Sequence, residues 1–215
     1  MSVSIFVLGE SGTGKTTSLR NMNPAETLLI QSIRKPLPFR SDWQPRTRDN
    51  PKGNIIVQDQ SERIVDLMHK APHPVIVIDD YQYILANEFM NRVSEKSFEK
   101  FNDIGRHAWE IVRHASMLPD HKRVYILSHT ETTDHGKTKA KTIGRLLDEK
   151  ITLEGMFTIV LRTAVINGQY VFSTRNNGSD TVKTPLDMFE SEHIENDLQA
   201  VDHAITEYYG ITATN

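Results

Sequence analysis

Near the start of the chain, Gly9-Glu10-Ser11-Gly12-Thr13-Gly14-Lys15-Thr16 follows the order G-x-x-x-x-G-K-[ST], and each part has a chemical use. The glycines let the main chain curl until successive N–H groups face one concavity, which can hold phosphate oxygens. A helix opening at Lys15 would add unpaired amides and the positive end of its dipole. Lys15 supplies a point charge to the β- and γ-phosphates, and the Thr16 hydroxyl completes a Mg²⁺ coordination shell. Residues 9–17, Thr17 included, form the expected triphosphate-binding set.

Magnesium also calls for a carboxylate at the end of a buried neighbouring strand. Pro74-Val75-Ile76-Val77-Ile78-Asp79-Asp80 provides it: four branched apolar residues, then two acids at the C-terminal edge, where α/β proteins bind ligands. Asp79 is assigned to the metal. Asp80 has two readings, as the group that orients or deprotonates an attacking water or as the N-cap of the next helix. A further strand, residues 124–127, ends in Ser128-His129-Thr130. Ser128 and His129 either face the γ-phosphate or cap that strand end.

These residues need a scaffold of alternating strands and helices. Residues 5–8 read as a strand, 15–22 as a helix ended by Pro24, and 27–33 as a second strand. The Pro-rich, cationic stretch 34–53 predicts no regular structure, and 55–57 a short strand. Residues 61–71 and 98–115 carry apolar positions at helical spacing. Asn167-Gly168 between two apolar runs (157–166 and 170–174) is a hairpin signal. A terminal helix is expected with a cap near Ser191, and Gly210 just past its end. The order predicts an α/β fold with a mostly parallel sheet flanked by helices. The expected division is a core over 1–190 and a C-terminal helical segment, 191–215, packed on it.

The composition sets limits. Lys+Arg 25 against Asp+Glu 28 gives a net charge of −3, which excludes a uniformly basic nucleic-acid coat but not local basic loops. The absence of cysteine excludes disulfides, thiol nucleophiles and thiolate metal sites. No apolar run approaches a membrane span, and the first residues do not form a secretory signal, so the expected address is cytoplasmic.

Guanine specificity has no support, because neither D-x-x-G nor N-K-x-D follows where a GTPase would need it. Paired acids, a polar residue on the next strand and a trailing hairpin point instead to an additional-strand ATPase. The phosphate loop, the strand ending Asp79-Asp80, the Ile126-Leu127-Ser128-His129 strand, the 136–145 loop and the 170–174 and 183–185 stretches together resemble the RecA-type ATPase core. The similarity spans roughly residues 3–190 and extends to compact phage-encoded recombinases that assist single-strand annealing. It implies ATP and Mg²⁺ as ligands, single-stranded DNA binding, head-to-tail assembly into a ring or filament, and cooperation with a single-strand-binding protein. For a phage protein the address would be the host cytoplasm. One departure stands out: such cores place a catalytic glutamate at the end of the second strand, where this chain reads Leu29-Ile30-Gln31-Ser32-Ile33. Either Asp80 takes that role, or hydrolysis is slow and ATP mainly drives assembly.

Positive charge is locally concentrated. Lys137, Lys139, Lys141 and Arg145 follow the polar strand end on small, flexible residues and either track a DNA backbone or form a solvated loop. Arg34, Lys35, Arg40, Arg46, Arg48 and Lys52 surround Phe39 and Trp43, which either stack on bases or pin the loop to the core. Arg175 and Lys183 are candidates for a cation reaching a neighbouring subunit's γ-phosphate, or plain surface charge. Two alternatives remain: a small-molecule or nucleotide kinase with 137–145 as its lid, and a non-catalytic nucleotide-gated interaction protein.

Overall fold

The computed structural model describes residues 1–212; positions 213–215, the end of the expected terminal segment, lie outside the described residues. The strands are β1 (Val3–Gly9), β2 (Thr27–Gln31), β3 (Ile55–Val57), β4 (Val75–Asp79), β5 (Arg123–Thr132), β6 (Thr138–Ala140), β7 (Ile159–Ile166), β8 (Gln169–Ser173) and β9 (His193–Glu195). They form one mixed sheet in the order β3-β2-β4-β5-β1-β7-β8-β9, with β6 attached to β5. From β3 to β7 every pairing is parallel, while β6, β8 and β9 join antiparallel.

Strand alternation divides the core between the two faces of the sheet. Phe6, Leu8, Ile76, Ile78, Val124 and Ile126 face one side, which is covered by α1 (Ser61–Lys70), α2 (Gln82–Asn91) and α3 (Glu99–Ala115). Ile5, Val7, Val75, Val77, Tyr125 and Leu127 face the other, under Trp43, Leu19 and α4 (Leu198–Tyr209). Burial on both faces is why these strands are continuous apolar runs. Because the strands are parallel, their C-terminal ends share one edge, and register places Gly9 beside His129 and Gln31 beside Asp79. Strand β5 lies between β1 and β4.

Three local expectations change. The segment after the glycine-rich loop is a short 3₁₀ turn, Thr16–Asn21, rather than an α-helix opening at Lys15; with Pro24 so near, little dipole can accumulate. Residues 134–145 are not one open loop. β5 runs on to Thr132 and β6 returns along it, with Thr130 opposite Ala140 and Thr132 opposite Thr138. The terminal helix begins at Leu198 rather than near Ser191. Its N-cap is Asp197, whose side chain accepts from the Gln199 N–H, while residues 193–195 pair with β8 as β9. A helix after Asp80, which enters the sequence reading only as an alternative role for that residue, is present as α2 (Gln82–Asn91). Asn167 and Gly168 both take positive φ, 51° and 79°, between the paired β7 and β8. Among the described residues no helix is long and apolar enough to cross a membrane.

Candidate nucleotide and metal site

At the end of β1, Gly9 has no room for a side chain: a Cβ there would meet Thr163 Oγ1 at 1.9 Å and Thr13 Oγ1 at 2.8 Å. Gly12 and Gly14 serve differently, taking φ of 79° and 97°, which side-chain-bearing residues rarely adopt. Thr13 ties the loop down, donating to the Glu10 carbonyl at 2.8 Å and sharing a 2.6 Å bond with Thr163 Oγ1. Lys15 is buried, and its Nζ donates to the carbonyls of Gly9 (2.8 Å) and Glu10 (2.9 Å). Burial lowers its pKa to about 8, against the opposing pull of Asp80 and Asp79.

From the turn that follows, the Thr16 hydroxyl meets both oxygens of Asp79, at 3.2 and 3.0 Å. Asp79 is only 1% exposed, and burial together with the charge of Asp80 raises its pKa, opposed by Lys35 and Thr16. A hydroxyl and a carboxylate from two elements form a hard oxygen donor set that suits Mg²⁺, with cationic Lys15 and Lys35 nearby for phosphate.

Asp80 is not the N-cap of α2; Tyr81 holds that position without a side-chain cap. Asp80 instead adopts left-handed φ of 62°, a conformation uncommon outside glycine that Asp and Asn take more readily than most residues. Ser32 Oγ contacts the carbonyls of Asp79 (2.9 Å) and Asp80 (2.6 Å), anchoring this corner to the end of β2. The Asp80 carboxylate contacts Lys35 Nζ and lies 3.4 Å from His129 Nε2. Burial raises its pKa, but hydrogen bonds from His129 and Lys35 outweigh that and lower it. Tyr83 packs edge-on against the His129 ring, centroids 5.7 Å apart.

These groups border an open cleft of about 610 Å³, lined by Ser11, Gly12, Gly14, Lys15, Thr16, Thr17, Lys35, Asp80, Tyr83, His129 and Tyr170 among others. Of the two polar residues ending the apolar part of β5, His129 lines the cleft, whereas Ser128 is fully buried and its Oγ has no hydrogen-bond partner among the described residues.

Lys35, Tyr83, Tyr170, Thr163 and Asn196 belong to this neighbourhood, and the sequence reading gives none of them a role in the nucleotide site. Asn196 is 2% exposed, and neither atom of its amide finds a partner among the described residues; its Oδ1 lies 3.0 Å from where a Cβ on Gly14 would stand. The Arg20 guanidinium donates to the Asn196 main-chain carbonyl.

The basic candidates separate. Lys137, Lys141 and Arg145 are exposed, whereas Lys139 is partly covered and 3.2 Å from Glu131. The β5–β6 ribbon leaves directly from the cleft edge, since the Lys141 N–H donates to the His129 carbonyl at 2.9 Å, and the Thr138 N–H braces it against Ser179. Arg175 donates to the Glu190 carbonyl at 2.8 Å, Lys183 pairs through its main chain with Val160, and neither lines the cleft. Trp43 is buried and Phe39 packs against the same core, so both pin the 34–53 stretch to the core. Compared with known proteins, the chain matches no family model and no curated relative.

Proposed function

We propose that the chain is a Mg²⁺-dependent ATPase of the RecA-like, additional-strand type that binds single-stranded DNA and acts as an oligomer in phage-type recombination or annealing. The observation that carries the reading is the contact of Thr16 with Asp79, at 3.2 and 3.0 Å, beneath a glycine loop. It joins the hydroxyl and carboxylate that a nucleotide-bound magnesium requires. The place of β5 between β1 and β4 supports the class, since an interposed strand is what the class name denotes.

Bound at Thr16 and Asp79, Mg²⁺ would neutralise charge on the β- and γ-phosphates. The loop amides and Lys15 hold the phosphates. Asp80, its carboxylate kept anionic by the neighbouring His129, orients a water and accepts its proton. Tyr83 steadies the His129 ring, and Tyr170, about half exposed on the cleft wall, offers a face to the base. Ser128, buried behind His129, serves as a packing residue. Lys137, Lys141 and Arg145 track the DNA backbone with help from Lys139, and the Lys141–His129 bond couples that ribbon to the γ-phosphate end. Arg175 and Lys183, away from their own cleft, act on a neighbouring copy. The host cytoplasm and a single-strand-binding protein complete the proposed setting.

The kinase alternative needs residues 137–145 to close as a lid. Their bonding to β5, His129 and Ser179 favours a braced ribbon instead. The test is ATP turnover with Mg²⁺, with and without single-stranded DNA at low salt, beside Lys15→Ala. Turnover that DNA stimulates and the substitution abolishes is expected. No turnover, or phosphate transferred to a metabolite, would overturn the proposal.

A further inference from the structure

We propose that Lys35 is a built-in counter-ion that holds Asp79 and Asp80 together until a divalent cation displaces it, so that metal entry and release of the Lys35 side chain are one event, while Leu37 and Phe39 keep the backbone packed on the core. This rests on reading Asp79 as the metal carboxylate. Lys35 Nζ contacts Asp80 Oδ2 and lies 3.7 Å from Asp79 Oδ2, while Asp79 Oδ2 also takes the Thr16 hydroxyl. An ammonium this close repels an incoming dication that needs the same carboxylate, and burial strengthens that repulsion.

The chain places Lys35 deliberately. Gln31, at the C-terminal end of β2, donates its amide to the Lys35 carbonyl at 3.3 Å. Ser32 binds the carbonyls of Asp79 and Asp80. The second-strand edge therefore delivers a cation to the acids instead of adding another anion. Pro36 and Pro38 stiffen the backbone after Lys35, and Ile33, Lys35, Pro36 and Pro38 all line the cleft. The Lys35 side chain is 36% exposed, which leaves it a path outward. Once displaced, its charge remains in the same cleft, where a triphosphate's terminal phosphate can take it.

The probe is Mn²⁺ alone, followed by electron paramagnetic resonance of the free ion, for wild type and Lys35→Met, with Lys35→Arg as the charge-retaining control. Lys35→Met should bind Mn²⁺ about tenfold more tightly or better, and Lys35→Arg should stay within about twofold of wild type. Should Lys35→Met not fold, wild-type protein answers by lysine acetylation read by mass spectrometry. Saturating Mn²⁺ should raise labelling of Lys35 severalfold and leave exposed Lys70 unchanged. Equal Mn²⁺ affinities in wild type and Lys35→Met, or Lys35 labelling indifferent to bound Mn²⁺, would overturn the proposal. Binding of a fluorescent ATP analogue by the same proteins separates the two claims. If the analogue binds and Mn²⁺ affinities are equal, only the Lys35 proposal fails. If the Mn²⁺ difference appears and no analogue binds, only the ATPase reading fails.

Discussion

The Thr16 hydroxyl lies 3.2 and 3.0 Å from the two carboxylate oxygens of Asp79, linking residues 63 apart in sequence. One comes from the turn after β1 and the other from the end of β4. The parallel sheet brings both to one edge, with β5 between their strands.

That contact holds a buried carboxylate whose charge the fold itself disfavours. Asp79→Asn removes the desolvated charge and keeps a hydrogen-bonding group, so its melting temperature should equal or exceed that of wild type. Mg²⁺-dependent turnover should fall by about a hundredfold or more. Thermal melts and turnover on the same preparation check both halves.

The glycines of the loop after β1 should respond unequally. A Cβ at Gly9 meets Thr163 Oγ1 at 1.9 Å, whereas one at Gly12 meets nothing within 4 Å and suffers only from φ of 79°. Gly9→Ala should therefore cost about 1–3 kcal/mol by overpacking, and Gly12→Ala about 1 kcal/mol. Adding Thr163→Ala to Gly9→Ala should restore part of that stability, because it removes the 1.9 Å clash and leaves the Thr13 hydroxyl at 2.8 Å, a side-chain end that can rotate away, and the residue 163 Cβ at 3.2 Å. Urea denaturation of the single and double variants measures this.

The glycine loop and the Asp79 strand are legible in the sequence because their constraints are local: backbone handedness in one, burial on both faces in the other. Lys35 and Asn196 are not. Their partners, Asp80 and Arg20, lie 45 and 176 residues away, and only the sheet order brings them together. Ile194 misleads for another reason: it stands four residues before Leu198, a helical spacing, yet it also fits a two-residue alternation. The edge of β8 and the cap at Asp197 decide in favour of β9. The strand character of Thr138-Lys139-Ala140 is equally hidden, since it depends on pairing with Thr130–132 rather than on its own composition.

Two buried tyrosines should set the alkaline limit of stability. Tyr81 Oη donates to the Ala108 carbonyl at 2.8 Å and Tyr125 Oη to Asp202 at 2.6 Å. Burial pushes both pKa values well above the ordinary 10, with Asp202 adding to the effect at Tyr125. The folded protein thus keeps protons that the unfolded chain gives up above pH 10, so this contribution is fully present below pH 10 and declines as pH rises beyond it. Tyr81→Phe should lose about 1 kcal/mol at pH 7 and show a shallower decline above pH 10. Denaturation midpoints at pH 7, 9 and 10.5 check the sign.

Charge reversal on the β5–β6 ribbon should act on DNA and spare the nucleotide. Lys137→Glu with Lys141→Glu is expected to weaken single-stranded DNA binding and to reduce the salt slope by about 0.7 for each phosphate that the protein no longer neutralises. Affinity for ATP should stay within about twofold of wild type. Fluorescence anisotropy across a salt series, beside nucleotide titration, separates the two effects.

The most direct test is calorimetric titration of ATP with Mg²⁺ into the wild-type chain and into Lys15→Ala. Saturable binding of one nucleotide per chain is predicted, weakened about tenfold to a hundredfold by the substitution because it removes a charged hydrogen-bond donor to phosphate. No binding by the wild type, or the same affinity in both proteins, would contradict the account.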